Sequence, residues 1–362
     1  MSKIISFPHL GDYYIPIETF LKRITHLEVK PSPPITKKTI ELGSKYSPDS
    51  VCLPFKYNLG NFIESLNHGA TILFTAGGGC RYRYYAEVTE TILKDLGYDF
   101  EFYNLIENGK LNLLKVYKNF KKLNPKLNFI YFIHQLLYTI FFIWHMDKID
   151  KIIRTRVGFE IENNSYLKIK NKMLTSFKKT KSITKLTYRY FKYKHLIKKI
   201  PIAKPKNCLK VGIIGELYTA MEPFATYFLE KELAKMHIEI KRYTNLSYLL
   251  WQKKYLTPHM LKVTKPYCKY TLGADGLDNV YRTIKLINKK YDGIIHTKPF
   301  GCTPEIGAIP IIQKICNDYE MPIIFFSYDV ETSDEGIKTR LEAFEDLIRI
   351  RRDKKWLKVT WE

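Results

Sequence analysis

The sequence predicts an α/β protein: two Rossmann-like parallel-sheet domains joined by a basic helical insertion. Three observations predict it. Short apolar runs alternate with amphipathic ones up to residue 106, the same rhythm restarts after Pro201–Pro205, and the stretch between is rich in Lys, Tyr and Phe without heptads. At 362 residues the chain also exceeds the usual size of one domain.

The first domain, 1–106, reads as strand Lys3–Phe7, helix Tyr13–Ile24, strand Ala70–Thr75, helix Tyr85–Leu96 and strand Phe100–Phe102. The connector, 107–205, is expected to be helical and irregular. Within it Leu127–Met146 is apolar over a length close to the ~20 residues that cross a bilayer. It also carries Asn128, His134, Gln135 and His145, polar groups that are costly in lipid, so a buried helix is expected and no membrane partner. The second domain, 206–362, reads as strand Leu209–Ile214, helix Glu222–Lys235, strand Ile238–Tyr243, strands Gly293–His296 and Ile323–Ser327, and a last helix Gly336–Arg349.

Composition is that of a globular protein, with 45% hydrophobic residues, 18 Gly and 17 Pro. The 59 Lys and Arg against 36 Asp and Glu leave a net +23, a field that attracts polyanions. From Asn163 to Lys210 there are 15 Lys or Arg and no Asp or Glu. Lysine and tyrosine together mimic a nucleic-acid patch. Arginine is scarce there and no recognised nucleic-acid motif accompanies it, so a solvated helical face is expected and nucleic acid is not the expected partner.

The six cysteines contain no CxxC pair, which argues against zinc ribbons, thioredoxin-like motifs and bacterial ferredoxin runs. Nothing like a secretory signal precedes Ile4–Phe7, so the expected location is a reducing cytoplasm without disulfides. Three cysteines share one context. Cys52 precedes Pro54 and a helical pattern, Cys80 follows a strand and Gly77–Gly79, and Cys302 follows a strand and Gly301 and precedes Pro304. Each thiol is expected at the positive end of a helix, where a thiolate ligand is favoured, and Cys80 and Cys302 fall at strand C-terminal edges where α/β sheets bind ligands. Cys208, Cys268 and Cys316 read as packing residues.

On the motifs YSPDSVCLPFK, GGGCRYRYY, VGIIGELYTAMEPFATYFLEKEL, KPYCKYTLGADG, YDGIIHTKPFGCTPE and DVETSDEGIKTRLEAFEDL, in that order, the chain resembles the 2-hydroxyacyl-CoA dehydratase superfamily. The likeness is to its activase-related and double-cubane cluster proteins. It implies a 4Fe-4S cluster on Cys52, Cys80 and Cys302, with Gly79, Arg81 and Gly301 beside it. It further implies low-potential single electrons taken from a separate ATP-hydrolysing activator protein and passed to an acyl-CoA or other small-molecule substrate, in a reductase or dehydratase (lyase) component. A homodimer or related subunit is a further implied partner. This chain has neither GxxxxGK[ST] nor GxGxxG, in keeping with ATP binding only through the activator. Three thiolates suit a single cubane with one iron open to substrate, and a double cubane would need six cysteines. The chain departs from the family at Gly79, where proline is common, and at Ala274 and Asp275, where the family has glycine and histidine. Those departures bear on the substrate.

Glu305 and Glu216, near strand ends, are candidate proton donors, though carboxylates there also serve helix dipoles. Arg81 and Arg83 could face an anionic ligand or the activator, and the segment with Thr332, Gly336 and Arg340 reads as a loop and a capped helix. The alternative to the electron-transfer enzyme is a non-catalytic iron–sulfur accessory, or a polyanion-binding protein that uses the basic insert.

Overall fold

The computed structural model describes residues 3–106 and 111–359, and side chains up to residue 353. The chain is mixed α/β with two four-stranded, all-parallel sheets. It divides into two units, Met1–His145 with Met173–Tyr190, and Met146–Lys172 with Phe191–Glu362.

The first unit runs β1 (Ile4–Ser6), α1 (Tyr14–Thr25), β2 (Glu28–Val29), α2 (Lys37–Tyr46), α3 (Leu53–Asn67), β3 (Ile72–Thr75), α4 (Tyr85–Asp95), β4 (Glu101–Asn104) and α5 (Leu113–Leu123). Its strand order is β2-β1-β3-β4, with Ile5 opposite Ile72 and Leu73 opposite Phe102. Because strand side chains alternate, Ile72 and Phe74 meet Leu21 and Ile24 of α1 and Phe120 of α5, while Leu73 meets Phe55, Leu59 and Phe62 of α3. Strand β2 has two residues on an edge, too few to show the periodicity of a strand.

Three helices follow: α6 (Phe129–Arg154), α7 (Ser165–Lys178) and α8 (Ile183–Lys199). The expected connector is therefore shared out between the units. The first core extends past residue 106, because the apolar face of α5 places Val116 and Phe120 on the first sheet, with Phe120 stacked 5.2 Å from Phe74. Among the described residues α6 alone is long and apolar enough to cross a membrane, and 44% of its most apolar window is buried. Within the first unit Tyr138 donates its hydroxyl proton to the Thr180 carbonyl at 2.9 Å, and Phe142 packs on Phe177. Within the second, Asp147 accepts the Ser247 N–H at 2.8 Å, and Asp150 pairs with Lys170 at 2.8 Å.

The second unit continues β5 (Lys210–Gly215), α9 (Leu217–Met221), α10 (Leu229–Lys235), β6 (Glu239–Arg242), α11 (Lys253–Thr264), α12 (Gly276–Asn288), β7 (Gly293–Pro299), α13 (Thr303–Asp318), β8 (Ile323–Tyr328) and α14 (Asp334–Val359). The order β6-β5-β7-β8 repeats that of the first sheet. Ile214 and Ile294 pack with Val280, Leu286, Ile312 and Ile315 of α12 and α13. The helix expected over Glu222–Lys235 is broken. Pro223 disfavours helical backbone at Glu222, a 3-10 turn occupies Phe224–Thr226, and Tyr227 and Phe228 both adopt left-handed backbone before α10 begins.

Candidate functional site

Cys52 is the N-cap of α3, in extended backbone at φ −76° and ψ 158°, with Pro54 at the second helical position. Helix α3 is held hard against α2. A Cβ at Gly60 would lie 2.0 Å from the Thr39 carbonyl oxygen, and one at Gly43 would lie 1.8 Å from that of Lys56. The Tyr85 oxygen accepts the Cys52 N–H at 3.4 Å and lies 3.5 Å from its sulfur. Burial first, and then the neighbouring Cys52, raise the Tyr85 pKa above its ordinary value, so its proton is retained and can be donated to sulfur.

Cys80 follows β3 through Ala76–Gly79 and is the N-cap of the 3-10 turn Arg81–Tyr84 that leads into α4. Gly79 is exposed and Cys80 half-buried. The Arg81 guanidinium donates to the Ser50 carbonyl at 3.2 Å. This bond and the Tyr85–Cys52 contacts tie the 50–52 segment to the 80–85 turn, so both cysteines of the first unit border one corner beyond the C-terminal end of β3. Beside that corner lies a small crevice lined by Phe55, Asn58, Gly77, Tyr82 and Tyr85. In it Asn58 donates to the Tyr82 hydroxyl, and its carbonyl oxygen is buried without a partner.

Cys302 follows β7 through Gly301, whose φ of 72° suits glycine, and is the N-cap of α13 with Pro304 at its second position. The thiol is buried. Lys298, also buried, donates to Ser327 Oγ at 2.9 Å. Burial pulls the Lys298 ammonium below its ordinary pKa, and the neighbouring Cys302 and Glu305 act the other way.

The two candidate carboxylates belong to the framework around β5 and β7. Glu305 is fully buried, accepts both Asn279 Nδ2 bonds at 2.9 Å, and lies 2.7 Å from His296 Nε2. Glu216 caps α9, accepting the Tyr218 N–H at 3.0 Å, the Thr219 N–H at 2.8 Å and the Thr219 hydroxyl at 2.7 Å. Burial, and more weakly Asp275, raise its pKa to about 7 against the pull of those N–H groups.

The shared strand order makes positions in the two units comparable. Cys80 and Cys302 occupy topologically equivalent loops, each after the third strand of its own sheet in chain order and beside the point where that sheet's strand order reverses. Cys52 caps the helix before that strand in the first unit, and Asp275 caps its counterpart α12 in the second. Among the described residues no group of three His, Cys, Asp or Glu side chains is spaced to hold a metal ion. Cys52 and Cys80 belong to the first unit and Cys302 to the second.

The other cysteines differ in kind. Cys316 is buried inside α13, where desolvation pushes its thiol up to about 12. Cys268 is buried and donates to the Tyr270 carbonyl at 3.1 Å, and Cys208 precedes β5 with its pKa raised chiefly by burial. No local sequence pattern marks Tyr85 or Lys298 as a site residue. Only its setting, a lysine within the seven buried residues of β7, could have found Lys298. No protein-family model matches the chain, and no curated protein matches it.

Proposed function

We propose that this chain is an iron–sulfur protein whose ligands are Cys52, Cys80 and Cys302, acting as the electron-accepting component of an ATP-dependent reductase or dehydratase with an acyl-CoA or other small substrate. One observation carries the reading: of six cysteines, these three are N-caps of helices or helical turns, and the other three are not. What supports it is the donor chemistry: all three supply thiol sulfur, the ligand type that such a cluster takes. First-turn N–H groups favour negative sulfur, Tyr85 can add a hydrogen bond at Cys52, and Lys298 places positive charge near Cys302. A 4Fe-4S cluster, when bound, supplies low-potential one-electron transfer. The chain's own part is to hold the thiolates on rigid helix ends and to limit water around Cys302. The reading also keeps the chain in the cytoplasm, with ATP hydrolysed by the activator.

Iron and acid-labile sulfide measured on anaerobically purified protein, with electron paramagnetic resonance of the reduced form, test the proposal. Wild type is expected to be brown, and Cys52→Ser, Cys80→Ser and Cys302→Ser each to lose most of the iron, while Cys316→Ser and Cys268→Ser keep it. Colourless wild type, or three serine variants with full iron, would falsify the assignment.

A further inference from the structure

We infer that the corner formed by α5 and the start of α6, in the first unit, docks on an anionic lipid surface. Between residues 111 and 146 there are five lysines, Lys115, Lys118, Lys121, Lys122 and Lys126, and no Asp, Glu or Arg. Helix α5 is amphipathic in an unusual way. Its inner face, Val116 and Phe120, is spent on the sheet. The outer face sets exposed Leu114, 62% accessible, among exposed Lys115, Lys118, Lys121 and Lys122. The tight turn after α5 brings the next helix onto the same corner. Tyr117 donates its hydroxyl proton to the Leu127 carbonyl at 3.0 Å, its ring meets that of Phe129 at 5.0 Å, and the Lys121 ammonium sits 5.8 Å from the Tyr117 ring centre. Phe129 and Tyr131 are exposed there, and Ile130 is 78% accessible.

Branched aliphatic, aromatic and lysine side chains exposed around one corner match a lipid interface in each part. Leu114, Ile130 and Phe129 can enter the acyl boundary, and the lysines can keep their stems along it while their ammonium groups reach lipid phosphate. Charge complementarity is with an anionic leaflet, toward which each lysine near the surface adds attraction. Nucleic acid fits less well, because Leu and Ile cannot stack on bases and the face has no arginine for bidentate contacts. A protein interface fits less well too, since lysine is depleted at their centres. The surface is independent of the cysteines, so it stands or falls separately from the iron–sulfur reading.

The test is co-sedimentation of the full chain with phosphatidylcholine vesicles, with and without phosphatidylserine, at low and high salt. The variants are Leu114→Ser with Ile130→Ser, and Lys118→Glu with Lys121→Glu, all exposed positions whose folding is checked by circular dichroism. Binding is expected only to the anionic vesicles, to weaken at high salt, and to fall at least about tenfold in each double variant. No binding to anionic vesicles overturns the inference, as does equal binding to neutral ones. Unchanged binding of the Leu114/Ile130 variant overturns insertion, and tight binding of a single-stranded or duplex oligonucleotide without vesicle binding assigns the face to nucleic acid instead.

Discussion

His145 is a buried side chain whose burial makes the fold sensitive to acid. Its ring is fully buried among Phe141, Trp144, Phe177 and Tyr190, and burial, opposed only weakly by the Phe141 backbone, drops its pKa to about 4. The unfolded chain therefore binds a proton that the folded chain refuses between about pH 4 and 6.5. Stability is lost as pH falls through that window. His145→Phe is expected to remove this loss and to be more stable than wild type at pH 5 by about 1–3 kcal/mol, read by urea unfolding at several pH values. Glu216 has the opposite sign. Its folded pKa of about 7 lies above the carboxylate's ordinary value, so its protonated form favours folding at low pH and the benefit fades as pH rises toward 7. Glu216→Gln is expected to flatten that decline, by about 1–2 kcal/mol between pH 5 and 8, and an unchanged slope would show that the cap titrates normally.

At the scale of elements, the placement of Cys52 depends on how closely α2 and α3 cross. Both helices present glycine where the partner's carbonyl comes nearest, Gly43 against Lys56 and Gly60 against Thr39. Either crossing partner enlarged by one methyl must push the helices apart. Gly60→Ala is expected to cost about 2–3 kcal/mol in unfolding free energy and to loosen the α3 N-terminus, seen as faster amide exchange there than in α4. In the second unit the C-terminal part of α6 is tied to α10 and β6 through Arg154, Glu230 and Arg242, with bonds of 2.9 and 2.7 Å. Burial raises the Glu230 pKa, but the two guanidiniums outweigh it and hold the carboxyl below its ordinary value. The pair's contribution is present above the carboxylate's ordinary pKa and is lost as pH falls below it. Arg154→Ala leaves a half-buried carboxylate with one partner fewer and is expected to destabilise by about 2–4 kcal/mol at pH 7.

For the molecule as a whole, charge is distributed by segment. Residues 108–210 hold 25 of the 59 Lys and Arg and 4 of the 36 Asp and Glu, a net +21 of the chain's +23. The remaining sequence is nearly neutral. Self-repulsion within one segment opposes compactness, and salt screens it over a Debye length of about 8–10 Å. Raising monovalent salt from about 20 to 300 mM is therefore expected to raise the unfolding midpoint by a few degrees, and about 3 °C is a fair scale for a molecule of this size. Replacing lysines in α8 by glutamine should shrink that salt response without lowering the midpoint at high salt.

The sequence by itself determined the class of fold, since short continuous apolar runs alternating with amphipathic helices leave few arrangements other than parallel sheets. It also determined which three cysteines stand at helix starts, because Pro54, Pro304 and the Gly77–Gly79 turn are local backbone signals. Only the tertiary structure decided what those positions touch. Tyr85 reaches Cys52 across 33 residues of sequence, and Asn279 reaches Glu305 across 26, contacts that no local pattern encodes. The break at Tyr227–Phe228 and the addition of α5 to the first core were likewise settled by packing. Left-handed backbone at two non-glycine residues is costly and persists only under tertiary constraint, such as the Tyr227 ring stacked on Tyr328, and an amphipathic helix joins whichever apolar face the folded chain leaves open to it.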